Sequence, residues 1–170
     1  LMRSRFVSAE AFNPEYVQSV LDSFGLGIMI RTFENSTATS QMAADEIGCE
    51  LGQIAKSICF VVEGQPILII ASGDQRVDDR KVAGLMGVGR KQVKFASAEQ
   101  CLGYLGYAPG GVPPVGHRTT PRAVFLDDSL KRYEKIYPAG GSSNTIFEVT
   151  LGQMEQISGG TFADVRRESS

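Results

Sequence analysis

A lysine set among alternating apolar residues is the first chemical feature of this chain. In Ile54-Ala55-Lys56-Ser57-Ile58-Cys59-Phe60, strand alternation puts Lys56 on the side of Ile54, Ile58 and Phe60, with Ala55, Ser57, Cys59 and Val61 on the other. An ammonium left there without a partner is costly, so it calls for a carboxylate, a cavity mouth or an anionic ligand such as phosphate. The competing reading is an edge-strand lysine that reaches water along its stem or pairs with Glu50 or Asp74.

The second feature is Gly103-Tyr104-Leu105-Gly106-Tyr107-Ala108-Pro109-Gly110-Gly111-Val112-Pro113-Pro114-Val115-Gly116-His117, with five glycines and three prolines. Such a stretch is neither a helix nor a central strand. Glycines let a ligand approach main-chain groups closely, and prolines stiffen the loop so that those groups are aimed in advance. A merely structural connection is the alternative, against which the apolar Tyr107, Val112 and Val115 weigh. His117 is the only histidine, hence the one choice for any histidine base; otherwise it is a surface residue beside Arg118, whose charge disfavours an imidazolium. Asp127-Asp128 offers paired carboxylates; the alternative is that Asp128 or Ser129 caps a turn around Leu130.

Two glycine patterns carry nothing. Gly84-Leu85-Met86-Gly87-Val88-Gly89-Arg90-Lys91 lacks the Lys-Ser/Thr ending and preceding strand of a phosphate loop, and Gly25-Leu26-Gly27 has no third glycine at dinucleotide-binding spacing. Triads of the Ser-His-Asp or Cys-His kind cannot be read from spacing, because their members meet only in space.

Local signals outline the elements that must hold these groups. Asn13-Pro14-Glu15 starts a helix over 14–24 that Gly25 stops. A short strand at 28–30 follows, then a helix capped by Thr39 or Ser40 and ended at Gly48. The run 54–62, the turn Glu63-Gly64-Gln65 and the run 66–70 predict a β-hairpin in the core. Helices are expected over 77–86, ended at Gly87, and from Ser97 to Tyr104. Strands are expected at 123–126, 135–137 and 145–150, with a closing helix over 151–157. Hairpins mixed with helices indicate an α+β fold rather than a wound parallel sheet.

Composition bounds the setting. The chain has 170 residues, 42% hydrophobic and 21% charged, which suits one globular domain over 1–165 with 166–170 as a tail and excludes collagen-like and wholly disordered classes. The net charge of -2 argues against wholesale coating of nucleic acid, yet residues 76–135 hold eleven Lys or Arg against six Asp or Glu, a locally basic middle. Cys49, Cys59 and Cys101 show no C-x-x-C, so neither a disulfide framework nor a zinc site is indicated and a reducing cytoplasm is expected. No run approaches the roughly 18 apolar residues of a membrane span, and no secretory leader is recognised.

Taken together, Thr39-Ser40-Gln41-Met42-Ala43-Ala44, the Ile54 to Phe60 strand and Gly106-Tyr107-Ala108-Pro109-Gly110-Gly111-Val112-Pro113-Pro114-Val115-Gly116-His117 resemble the YbaK/EbsC-type family, free-standing relatives of the editing domain inserted in bacterial prolyl-tRNA synthetases. Ser72-Gly73-Asp74 leading into Val77-Asp78, the strand end Val124-Phe125-Leu126-Asp127 and Ala139-Gly140-Gly141 extend the resemblance over about residues 37–165. It implies a mixed, mostly antiparallel, curved and barrel-like sheet flanked by helices. It also implies an aminoacyl-tRNA deacylase that hydrolyses the ester between a wrong, small amino acid and a tRNA, commonly that for proline, without cofactor or metal.

On that resemblance Lys56, binding the terminal adenosine phosphate, and Gly111 are the expected catalytic positions. Gly110, Val112, Pro113, Pro114, Gly116, His117, Asp127 and Gly141 are the expected substrate-binding ones, the main chain of 110–114 holding sugar hydroxyls and ester carbonyl. The family offers no obvious side-chain nucleophile, so a substrate hydroxyl or positioned water is implied. The expected partners are the acceptor end of mischarged tRNA and prolyl-tRNA synthetase, with no membrane. Pro113-Pro114 stands where cysteinyl-type members often carry Ser-Pro, and Ser142-Ser143-Asn144 where they show a basic run. These departures argue against cysteine as the amino acid removed and leave alanine and other small ones open. A non-catalytic module that binds aminoacyl-tRNA or a synthetase, and an esterase for small activated esters, are the rival classes.

Overall fold

The computed structural model describes residues 10–168. Helix α1 (Pro14–Asp22) starts where Asn13 Oδ1 accepts from the Tyr16 amide at 2.9 Å, and it buries Val17 and Leu21. The strand expected at 28–30 does not form there. Gln18 takes that segment instead, donating from Nε2 to the Ile28 carbonyl and accepting the Ile30 amide on Oε1, so pairing starts only at β1 (Arg31–Thr32). Helix α2 (Ser40–Ile47) is capped by Thr39 and ends at Gly48 in the left-handed region, as its sequence signals.

Strands β2 (Ile54–Val62) and β3 (Gln65–Ser72) form the expected antiparallel hairpin. Its two turn residues, Glu63 at φ 52° and Gly64 at φ 74°, have the positive angles that match the twist of the flanking strands. Helix α3 (Asp79–Met86) begins two residues after the expected start because Val77 is used in a bridge to Arg166. Strand β4 (Val93–Phe95) is unforeseen; its three residues pair with the end of β2. Helix α4 (Ala98–Leu105) carries a capping box between Ser97 and Gln100.

Beyond the glycine-proline loop come β5 (Ala123–Asp127) and β6 (Lys135–Pro138), each parallel to its hairpin neighbour. The run expected as one strand at 145–150 divides into β7 (Thr145–Ile146), on β1, and β8 (Val149–Thr150), on β6, with Phe147 buried in the core between them. Helix α5 (Leu151–Ser158) and the unforeseen β9 (Thr161–Ala163), parallel to β5, complete the order. The main sheet runs β8-β6-β2-β3-β5-β9 with β4 beside β2, a mixed sheet with antiparallel and parallel pairings in equal number, curled into a half-barrel with helices around it. The expected tail starts too early: Arg166 bridges Val77 and the Arg167 amide donates to the Arg76 carbonyl at 2.7 Å.

Strand β3 is the centre of the fold, with Ile67, Leu68, Ile69 and Ile70 buried on both faces. One core gathers Leu68, Ile70, Cys59 and Cys101 inside the curl under α1, α4 and α5; the other packs Phe60, Ile67, Ile69 and Val82 beneath α3.

The outer edge of β2 is divided. Ile54 and Ala55 pair with β6, whereas Phe60, Val61 and Val62 pair with β4. Between them Lys56, Ser57 and Ile58 have a strand partner only on the β3 side. The Ile54 carbonyl bonds toward β3, accepting from Gly73, and the Cys59 carbonyl toward β4, accepting from Ala96. Alternation therefore turns the main chain of Ser57 to the open edge.

Asp127 belongs to this framework, contrary to the expectation of substrate binding. It is 1% exposed, Oδ2 accepts from the amide and hydroxyl of Ser129, and Oδ1 accepts from the Val165 amide at 3.0 Å. It caps the 3-10 turn Asp128–Arg132 and ties the chain end to β5. Asp127→Ala is expected to lower unfolding stability by about 3 kcal/mol, since it leaves buried donors unsatisfied. A urea titration checks this: the midpoint falls with an unchanged slope.

Candidate functional site

The open edge of β2 forms one wall of a cavity of about 390 Å³. Lys56, Ser57, Ile58 and Cys59 line it from β2; Thr37, Ala38, Thr39, Ser40 and Ala43 line it from the start of α2. Pro109, Gly110 and Val112 come from the glycine-proline loop, Phe95 and Ala96 from the end of β4, and Tyr137, Ala139 and Ile146 from β6 and β7.

Lys56 is half-buried, and its ammonium donates to the Gln75 carbonyl at 2.6 Å. Burial holds its pKa below the ordinary lysine range; Arg76 adds to that lowering, and Asp74 partly opposes it. Asp74 does not pair with it. Arg132 grips both Asp74 oxygens, Nη1 to Oδ2 at 2.9 Å and Nη2 to Oδ1 at 2.8 Å, and also donates from Nη2 to the Ser72 hydroxyl at 2.8 Å. The Arg132 hydrogen bond is the largest cause that holds the Asp74 carboxyl at about 2. This clamp fixes the turn whose Gln75 carbonyl receives Lys56. It gives Ser72-Gly73-Asp74 a physical task and adds Arg132, which no sequence signal singled out.

The loop divides into a cavity side and a scaffold side. Gly110, at φ +91°, lies so close to α2 that a Cβ there would sit 3.1 Å from the Ala38 carbonyl oxygen, so a side chain is excluded both by space and by backbone. Gly111 does not line the cavity: its amide closes a turn on the Ala108 carbonyl at 3.1 Å, and a Cβ would fall 2.8 Å from the main chain of Ser142. Pro113 and Pro114 are buried and also absent from the cavity wall.

His117 staples this scaffold side by donating from Nε2 to the Pro113 carbonyl at 2.7 Å, while Tyr107 donates its hydroxyl to the Gly116 carbonyl at 2.7 Å. Gly116 and Gly141 pack against α1, Gly141 so closely that a Cβ would meet Val17 at 2.8 Å. Of the expected residues, the cavity gathers Lys56, Gly110 and Val112; Gly111, Pro113, Pro114, Gly116, His117, Asp127 and Gly141 support it from outside. The threonines, Ser57, Phe95 and Tyr137 were not singled out as site residues. Threonines preceding a helix read as caps, and Ser57 reads as the polar neighbour of a lysine.

Neither a histidine nor a carboxylate is found among the described residues that line the cavity. Its thiols are those of Cys59 and Cys101. Their mutual hydrogen bond, with burial, pushes the Cys59 thiol well above its ordinary range, so it stands protonated. No group of three or more metal-ligating side chains gathers among the described residues, and no helix there is long and apolar enough to cross a membrane.

Burial lowers the pKa of His117 below 6.5, against a smaller raising effect of its bond to Pro113. The unfolded chain then takes a proton first, so the staple contributes stability above pH 6.5 that fades as pH falls toward the folded value. The Tm difference between the native chain and His117→Gln should be largest near neutrality and shrink in mildly acidic buffer, as calorimetry at stepped pH will show.

Comparison with known proteins agrees with this geometry. A sequence model of the aminoacyl-tRNA editing domain matches residues 34–157, from the segment after β1 to the last turn of α5. The uncharacterized protein YwhH of Bacillus subtilis (strain 168) is 39% identical over 130 residues, 76% of this chain and 80% of the relative. The proline--tRNA ligase of the same organism is 32% identical over 139 residues, 81% of this chain but 22% of the ligase. A solved structure described as a proposed trans-editing enzyme for prolyl tRNA synthetase superposes with a TM-score of 0.84 at 34% identity, covering 91% of this chain and 97% of that one. With the matched segment containing α2, the open edge of β2 and the whole glycine-proline loop, this chain belongs to the aminoacyl-tRNA editing domain family.

Proposed function

We propose that the chain is a trans-editing hydrolase that releases a small, misattached amino acid from tRNA, with the tRNA for proline as the substrate body. Membership of the editing family gives the activity class, aminoacyl-tRNA deacylation, an ester hydrolysis. The observation that carries the finer reading is that Lys56 and the loop residues Gly110 and Val112 wall the same cavity. At about 390 Å³ that cavity sits near the lower end of the roughly 300–1,000 Å³ of small-molecule sites, room for a terminal nucleoside and a short acyl group.

In this reading the Lys56 ammonium meets the phosphate of the terminal adenosine, and that anion offsets the burial that depresses the amine. Main-chain groups at Gly110 and Val112 hold the ester. Water adds to the carbonyl carbon, the bond to the ribose oxygen breaks, and the water proton passes to the departing ribose hydroxyl, leaving free amino acid and tRNA. The described residues that line the cavity include neither a histidine nor a carboxylate, so in this reading orientation and stabilisation of the developing oxyanion supply the acceleration. Phe95 is 66% exposed at the cavity, and exposed Lys91 and Lys94 precede it in the chain, a combination that suits the single-stranded acceptor end by charge and stacking. Several of the relatives matched are proline--tRNA ligases, which supports the choice of tRNA.

Lys56→Ala is expected to reduce kcat/KM for deacylation of mischarged tRNA by roughly 100-fold, the scale of losing one preorganised charged contact. Equal circular dichroism and Tm establish matched folding. An unchanged rate removes the assigned role of Lys56. A panel of mischarged tRNAs that bind without release would instead favour a binding module, and rates indifferent to the tRNA body and to salt would favour a small-ester esterase.

A further inference from the structure

Ser57 Oγ is the one buried side-chain oxygen without a hydrogen-bond partner among the described residues, exposing less than 1 Å². It sits in the cavity wall, one residue from Lys56. Strand alternation puts its side chain on the opposite face of β2, the side of Ala55 and Cys59, which packs into the curl of the half-barrel beside Cys101 and Val112. Its main chain faces the open edge, where β6 has ended and β4 has not begun. A hydroxyl buried without a partner is destabilising, and the group is most simply retained where a ligand completes its hydrogen bonding.

We propose that Ser57 is a substrate-positioning residue for the aminoacyl half of the substrate, resting on the editing function proposed above. Lys56 and Ser57 then divide one ligand between the two faces of a single strand. The cation takes the phosphate; the hydroxyl hydrogen-bonds the aminoacyl group in a compartment walled by Ala55, Cys59, Cys101 and Val112. Among the described residues no carboxylate lines that compartment, and the Ser57 oxygen is a polar contact that burial has already stripped of water. The ligand it takes is an aminoacyl ester with a small, uncharged side chain, and the hydrogen bond orients the ester for attack rather than adding affinity for the nucleotide.

The test compares the native chain with Ser57→Ala using two probes: adenosine 5′-monophosphate, and a non-hydrolysable 3′-alanylamido-3′-deoxyadenosine 5′-monophosphate. Calorimetric titration should show the alanylamido probe weakened about tenfold by Ser57→Ala and the monophosphate unchanged, with kcat/KM for alanyl-tRNA deacylation reduced by about tenfold or more. Because the variant removes an orphan hydroxyl, its Tm should equal or exceed that of the native chain. Equal binding of both probes and an unaltered deacylation rate overturn the inference. So does a fall in Tm accompanied by equal weakening of both probes, which marks a structural role. If the native chain binds neither probe, the editing function falls first and this assignment with it; if it binds both and only Ser57→Ala is silent, the editing function stands alone.

Discussion

One edge of one strand governs this site. Strand β2 shares its outer edge between β6 at Ile54 and Ala55 and β4 at Phe60, Val61 and Val62, and the two partners never meet. A sheet edge left open inside a fold exposes main-chain donors and acceptors that must find water or a ligand. Here the opening is closed off by α2 and the glycine-proline loop instead of by another strand, so a cavity forms where a ladder would otherwise run. The same opening places consecutive residues, Lys56 and Ser57, at one cavity from opposite faces of the strand.

The cation in that cavity is kept available by a contact elsewhere. Asp74 is close enough to influence Lys56, and a direct pair would neutralise the site. Arg132 prevents this by taking both carboxylate oxygens, and Gly52 allows it, since a Cβ there would fall 2.9 Å from Asp74 Oδ2 and 2.8 Å from Arg132 Nη2. The ion pair is partly exposed, so its stability contribution is small; its consequence is positional. Lys56 is left with a main-chain carbonyl as its partner, which holds the ammonium in place without cancelling its charge.

Local chemistry made much of this legible in the sequence. Caps at Asn13, Thr39, Ser97 and Thr150 and left-handed glycines at 48, 87, 106 and 159 each depend on residues within a few positions, so the five helices follow from short windows. Alternation alone marked Lys56 as a cation on an apolar face. What could not be read depends on distant contacts. Strands β4 and β9 are three residues each and exist only because β2 and β5 offer edges. The capture of Ile28 and Ile30 by Gln18 is a side-chain event with no periodic signature. The loop was recognised as a whole, but composition cannot tell the glycine facing Ala38 from the one whose amide closes a turn, and Ser57 differs from any strand serine only in lacking a partner.

The cavity's chemistry also narrows how hydrolysis proceeds there. His117, the one imidazole, is spent on the Pro113 carbonyl outside the wall; Asp127 is spent on the Ser129 and Val165 amides; Cys59 is held as a thiol. Each of these three groups therefore has a structural occupation, and the described lining of the cavity otherwise offers one ammonium, hydroxyls, the Cys101 thiol and main chain. Such a set can fix a substrate and stabilise charge that develops on a carbonyl oxygen. An aminoacyl ester is already activated toward water, so orientation of a bound water and an oxyanion contact are the contributions still needed. The bond class itself comes from the family, whose substrates are aminoacyl esters, and a bond of that kind is matched to a cavity whose contribution is positioning rather than a strong base.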